Sequence, residues 1–200
     1  MPQLLLATNN AGKLDELKQL LAGIPFCLVS PADIGISLNV TENSRTYAGN
    51  ARIKAEAYSI ASGLLTLADD SGLEVDVLEG APGIMSARYA GPNATDAQRV
   101  SLLLHELKEI PWYRRKACFK CVIAIAKPLA GVRLSTGSCS GYIASEPKGE
   151  NGFGYDPVFY LPKLGKTMAE LLPEVKNTIS HRARAAARAR IILSKMAATT

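Results

Sequence analysis

The chain has 200 residues, 48% of them apolar and 20% charged, with a net charge of +5. That balance fits one folded domain, 1–200, with a sizeable core, and excludes a disordered or low-complexity chain. No apolar run approaches the roughly 20 residues of a membrane helix, and Met1-Pro2 leads into Leu4-Leu5-Leu6 without the basic start of a signal peptide, so a cytoplasmic protein with no membrane partner is expected.

In chain order, Gln3 to Ala7 reads as a strand and is followed by a polar turn. Gly12 to Leu21 reads as a helix with Leu14, Leu17, Leu20 and Leu21 on one face. A short strand is expected near Phe26 to Val29, then a loop from Asp33 to Arg45. Thr46 caps a helix that runs to Ser62, where Gly63 stops it. Leu64 to Ala68 reads as a buried strand. Leu73 to Leu78 alternates apolar with acidic and is expected to pair back on it, with Asp69-Asp70-Ser71-Gly72 at the turn.

Gly80 to Asn93 reads as a Gly/Pro-rich loop. Thr95 and Gln98 form a capping box for a helix carrying Val100, Leu103, Leu104 and Leu107 on one face. Ala117 to Lys127 and Val132 to Ile143 read as a hairpin. A loop from Glu146 to Asp156 holds three glycines, and a short strand follows at Val158 to Tyr160. Thr167 and Glu170 make a second capping box, and the last helix runs from Ser180 to Met196. Helices alternating with strands, then a hairpin, predict an α/β fold with a mixed sheet.

Four cysteines are present. Cys118 and Cys121 have metal-like spacing, but residues three apart on a strand point to opposite faces and do not chelate one ion. They read as structural thiols in a reducing compartment. The basic run from Arg182 to Arg190 reads as the solvated side of a helix.

Several positions suit phosphate chemistry. Two adjacent acids at the end of an apolar strand carry a desolvation and repulsion cost, and they suit a hard cation that brings phosphate with it. Thr8-Asn9-Asn10-Ala11-Gly12-Lys13 joins a strand to a helix N-terminus, where free N–H groups attract anions. Asn50 and Lys54 share one face of their helix, and Glu42 precedes that helix as a further acid for a magnesium ion. Phe153-Gly154-Tyr155-Asp156-Pro157 sets aromatic faces among glycines, which suits a stacked base. Lys176 and Ser180-His181-Arg182 supply donors near the start of the last helix.

Taken together, Thr8 to Lys13, Asn50-Ala51 with Lys54-Ala55, Ala68-Asp69-Asp70-Ser71-Gly72-Leu73, Ala81-Pro82-Gly83 with Ser86-Ala87-Arg88-Tyr89, Phe153 to Pro157, Lys166-Thr167 with Ala169-Glu170-Leu171, and Ile179 to Arg182 closely resemble the inosine triphosphate pyrophosphatase family over almost the whole chain. The resemblance implies an elongated mixed α/β fold with two lobes around a nucleotide cleft, as a homodimer. It implies magnesium-dependent hydrolysis of ITP, dITP and XTP to the monophosphate and pyrophosphate, with no nucleic acid as partner. By motif position it makes Asp70 the proton acceptor and a metal ligand, with Glu42 as a second metal acid. It makes Thr8, Asn9, Asn10, Ala11, Gly12, Lys13, Ser71, Phe153, Gly154, Tyr155, Asp156, Lys176, His181 and Arg182 the nucleotide-binding positions; Arg182 or nearby backbone is the expected donor to the 6-oxo group of the base. One departure is Gly49, which stands where many members of the family carry Glu.

Three other readings follow from the residues: a nucleic-acid binder using the Arg182 to Arg190 helix, a nucleotide sensor without turnover, and a pyrophosphatase for modified pyrimidine or methylated nucleotides.

Overall fold

A computed structural model describes residues 1–198. Five α-helices and seven strands form in it: β1 Gln3–Leu6, α1 Ala11–Leu20, β2 Cys27–Val29, α2 Tyr47–Ser62, β3 Leu65–Val75, α3 Asp96–Glu106, β4 Lys116–Ala126, β5 Val132–Ile143, β6 Phe159–Leu161, β7 Lys166–Thr167, α4 Pro173–Ile179 and α5 His181–Ala197. The strands make one mixed sheet in the order β2-β1-β3-β4-β5-β6-β7. β1 runs parallel to β2 and β3, while β6 runs antiparallel to β5 and β7.

Local chemistry places the helix starts. Asn10 caps α1 by accepting from the Lys13 N–H at 2.9 Å, and Thr46 caps α2 by accepting from the Gly49 N–H at 3.0 Å. Gly63 ends α2 with φ 71°, a left-handed conformation that suits glycine. Thr95 and Gln98 close their capping box on α3. Thr167 and Glu170 close theirs too, although it opens only a short 3-10 turn, Met168–Glu170.

One expectation is overturned. Asp69-Asp70-Ser71-Gly72 is not a turn, and Leu73 to Leu78 does not fold back on Leu64 to Ala68. The whole stretch Leu65–Val75 is one strand of 11 residues. Asp, Ser and Gly favour turns where water can solvate them. Here the acids are buried and bonded, so the ladder continues through them. The helix α4 and the strand β7 were not anticipated from the sequence. The four cysteines are free, as expected, and burial pushes the Cys121 thiol up to about 12.

The chain divides into two compact units. The first comprises Met1–Asp70, Cys121–Gly137 and the segment from Arg182 onward; its core holds Leu4, Leu6, Leu17, Leu67, Ile123, Ala186 and Leu193. The second comprises Ser71–Lys120 and Ser138–His181; its core holds Leu73, Val75, Leu103, Phe119, Ile143, Phe159 and Met168. Strands β3, β4 and β5 each give one part to one unit and one part to the other.

Candidate active site

In the first unit the parallel pairing of β1 and β3 sets Leu6 opposite Leu67. The loop leaving the carboxyl end of β1 therefore lies beside Ala68, Asp69 and Asp70, and carboxyl ends of parallel strands are where such sheets place ligands. In that loop Thr8 Oγ1 accepts from the Asn10 N–H at 3.2 Å. Asn9 and Asn10 lead into the first turn of α1, where Ala11, Gly12 and Lys13 follow.

Successive strand residues point to opposite faces, so the two adjacent acids meet different partners. Asp69 is fully buried. Its Oδ2 faces Lys13 Nζ at 3.3 Å and accepts from Arg182 Nε at 3.2 Å and Nη2 at 3.1 Å. Burial alone would raise its pKa, but Lys13 and Arg182 outweigh burial and hold the carboxyl well below the usual range. Arg182 is 1% exposed, and its Nη1 reaches Glu16 at 2.6 Å. Asp69 and Glu16 together hold the guanidinium above its ordinary range against burial. Arg182, expected to read a base, donates to two carboxylates, those of Asp69 and Glu16.

Asp70 is 8% exposed and accepts from Asn50 Nδ2 at 3.1 Å. Burial pushes its carboxyl up, and Lys13 and the Asn50 bond only partly offset that. Lys54 pairs with Glu42 at 2.8 Å, and the fields of Asp69 and Glu42 outweigh burial in keeping its ammonium charged. Three cations, Lys13, Lys54 and Arg182, thus surround the acids of this unit.

In the second unit, Ser71 continues β3, and the segment 152–156 forms a tight loop. Gly152 and Gly154 adopt φ 76° and 64°. Gly152 has a second reason to be glycine: a Cβ there would run into the Asp156 carboxylate. Asp156 accepts from the Phe153 N–H at 3.0 Å and forms a buried ion pair with Lys176 of α4. The Lys176 ammonium also lies 5.0 Å from the Phe153 ring centroid, within the range of a cation–π contact. The Gly154 N–H donates to Asp96 at 2.6 Å, and the Tyr155 hydroxyl donates to the Ser86 carbonyl at 3.0 Å. His181 stacks flat on Phe119, with centroids 4.6 Å apart and planes 12° apart.

Sequence reasoning missed Glu16, Asp96 and Phe119. Glu16 had a signal, since it lies one turn after Lys13 on α1. Asp96 and Phe119 had none, because their partners lie 58 and 62 residues along the chain. The basic side of α5 is also clarified. Arg188 donates to the Thr136 carbonyl at 2.7 Å, and Arg190 donates to the Leu20 and Ala22 carbonyls at 3.0 and 2.7 Å at the end of α1. These arginines bind carbonyl groups of the chain itself.

Among the described residues, no three His, Cys, Asp or Glu side chains gather as a metal cage. No helix of the described residues is long and apolar enough to cross a membrane.

The chain is similar to known proteins over nearly its whole length. The family model described as the Ham1 family matches residues 4–191. The chain is 49% identical over 185 residues to the dITP/XTP pyrophosphatase of Geobacillus kaustophilus, covering 92% of this chain and 91% of that one. It is 48% identical over 194 residues to the dITP/XTP pyrophosphatase of Desulforamulus reducens, covering 97% and 96%. Among solved structures, a HAM1 protein from Coxiella burnetii superposes with a TM-score of 0.88 at 40% identity, over 98% of this chain and 100% of that one. A nucleoside-triphosphatase / dITP/XTP pyrophosphatase from Mycobacterium abscessus superposes at 0.75 and 41% identity, over 94% and 98%.

Proposed function

The chain belongs to the Ham1 family, and from that premise we propose that it hydrolyses dITP and XTP, and ITP with them, to the nucleoside monophosphate and pyrophosphate. The reaction is that of a nucleoside triphosphate pyrophosphatase. The single observation that carries the reading is the pair of buried acids on β3, with Asp69 bonded to Lys13 and Arg182 and Asp70 held separately by Asn50.

The two acids divide the work. Asp69 holds Lys13 and Arg182 in place, which keeps positive charge where a triphosphate needs it. Asp70 takes a proton from the water that attacks the α-phosphorus, so pyrophosphate leaves as one piece. Lys13, Lys54 and the N–H groups at the start of α1 offset the charge that makes a triphosphate resist an anionic nucleophile. In the second unit Phe153, Asp156, Lys176 and His181 are assigned to the nucleoside. Their rings offer stacking surfaces and their polar groups offer donors and acceptors. A purine with a 6-oxo group accepts where adenine donates, so a donor-lined site leaves adenine with donors facing donors.

Magnesium fits this donor set. It takes one or two carboxylates together with phosphate oxygens and water rather than an all-protein cage. Asp70 and Glu42 are the residues that would hold it, and it would supply charge neutralisation at the phosphates. Assembly as a homodimer belongs to the same proposal and rests on the family resemblance, and a place in the cytoplasm is proposed with it.

The test is a substrate panel with separate detection of pyrophosphate and orthophosphate. Pyrophosphate from dITP, XTP and ITP with magnesium, and much less from ATP, is the expected result. Equal rates on ATP would overturn the selectivity, and orthophosphate would overturn the cleavage position. Binding without turnover would favour a sensor, and preference for modified pyrimidines would favour a different pyrophosphatase.

A further inference from the structure

Asn50 is 1% exposed on α2, and the roles given above do not use it. An amide taken out of water has to bond its polar atoms. Its Nδ2 donates to Asp70 Oδ2 at 3.1 Å, and its Oδ1 accepts from the Ser44 backbone N–H at 2.9 Å. The two contacts fix which end is oxygen and which is nitrogen, because an N–H and a carboxylate ask for opposite ends of the amide. One planar group therefore joins the Asp70 carboxylate to the loop 42–45, and Glu42 of that loop is itself held by Lys54.

Gly49, next to Asn50, fits this arrangement. Its Cα faces Ser44: a Cβ there would run into Ser44 Oγ and stand 2.6 Å from Ser44 Cβ. The hydroxyl can rotate away. The Ser44 Cβ is fixed to its backbone, so the loop itself has to move, and the N–H that holds Asn50 moves with it. The requirement is one of space, since Gly49 is not in the left-handed region.

We propose that Asn50 is a positioning residue that sets the orientation of the Asp70 carboxylate, and that Gly49 is glycine so that Ser44 can hold Asn50. This rests on the reading of Asp70 as proton acceptor. It accounts for the departure at position 49 through packing against Ser44.

The test is steady-state kinetics on dITP combined with a rescue. Asn50→Leu keeps the branched heavy-atom shape and removes both bonds. It should lower kcat by about 10-fold or more while KM stays within about 3-fold, because misorientation of a reacting group acts on the chemical step. Gly49→Ala should lower kcat in the same sense. Ser44→Gly keeps the backbone donor and frees the space, so the Ser44→Gly/Gly49→Ala double variant should recover to within about 2-fold of Ser44→Gly alone. In metal-free protein the side-chain NH2 resonances of Asn50, identified by their loss in Asn50→Leu, should move in Gly49→Ala and return in the double variant. An Asn50→Leu protein with unchanged kcat, or failure of Ser44→Gly to restore Gly49→Ala, overturns the inference. Asp70→Asn tests the underlying reading separately: if it is inactive while Asn50→Leu is normal, only the positioning role falls, and if it is active the role of Asp70 falls first.

Discussion

The two units bury an acid–base cluster each, and they hold it differently. In the first, Asp69 is shared by Lys13 and Arg182, which lie 56 and 113 residues away along the chain. In the second, Asp156 is bonded by the Phe153 N–H three residues back and by Lys176 twenty residues on. The first cluster is charge against charge, assembled from distant segments. The second is a local loop closed by its own backbone, with a ring and one lysine added. The difference suits the assigned tasks. Offsetting phosphate charge requires cations concentrated by the fold, whereas receiving a base requires a fixed surface.

The largest expected effect tests that contrast directly. Arg182→Met leaves Asp69 buried and takes away two of its hydrogen bonds, and removing one partner of a buried pair costs about 3–5 kcal/mol. Urea unfolding should show that loss. Lys176→Met should cost less, because Asp156 keeps the Phe153 N–H. If the two variants unfold at the same urea concentration, the contrast between a shared and a locally pinned acid is wrong.

Next comes Asp70→Asn, which keeps shape and removes the proposed proton acceptor. Turnover of dITP should fall by about 100-fold or more, the scale of a lost general base. Near-normal turnover would move the chemistry elsewhere in the first unit.

A smaller effect sharpens the assignment of the second unit. Phe153→Leu removes the ring beneath the Lys176 ammonium, a contact of about 0.5–2 kcal/mol, together with a stacking face. KM for dITP should rise more than kcat falls. A pure kcat effect would show that Phe153 does not contribute to nucleoside binding in the way assigned.

The smallest effect concerns pH in metal-free protein. Burial raises the Asp70 pKa, so the folded state favours the protonated carboxyl and its ionised form costs stability at neutral pH. Asp70→Asn should therefore unfold at a denaturant concentration no lower than wild type at pH 7. That advantage should vanish as pH falls below the ordinary value of 3.8. Asp69 works with the opposite sign: its lowered pKa gives stability that is complete above 3.8 and is lost only as pH falls below it. A wild-type protein that gains stability steadily from pH 7 to pH 2 would contradict the depressed Asp69.

The sequence by itself determined the parts whose causes are local. Thr46 and Gly63 mark the ends of α2, Thr95 and Gln98 mark the start of α3, and Asn10 and Lys13 mark the start of α1, because caps act within one turn of chain. It also determined the family, since motifs in order along nearly the whole chain are jointly specific. The tertiary structure alone decided that Asp69-Asp70-Ser71-Gly72 lies inside a strand, because residues that turn in water stay extended when distant cations bond them in the core. It decided that Arg182 holds Asp69 and Glu16, and that Ser44 fills the space beside Gly49. Burial, ion pairing across 113 residues and the room left for a Cβ arise only when distant segments are packed together, and no local pattern of residue types encodes them.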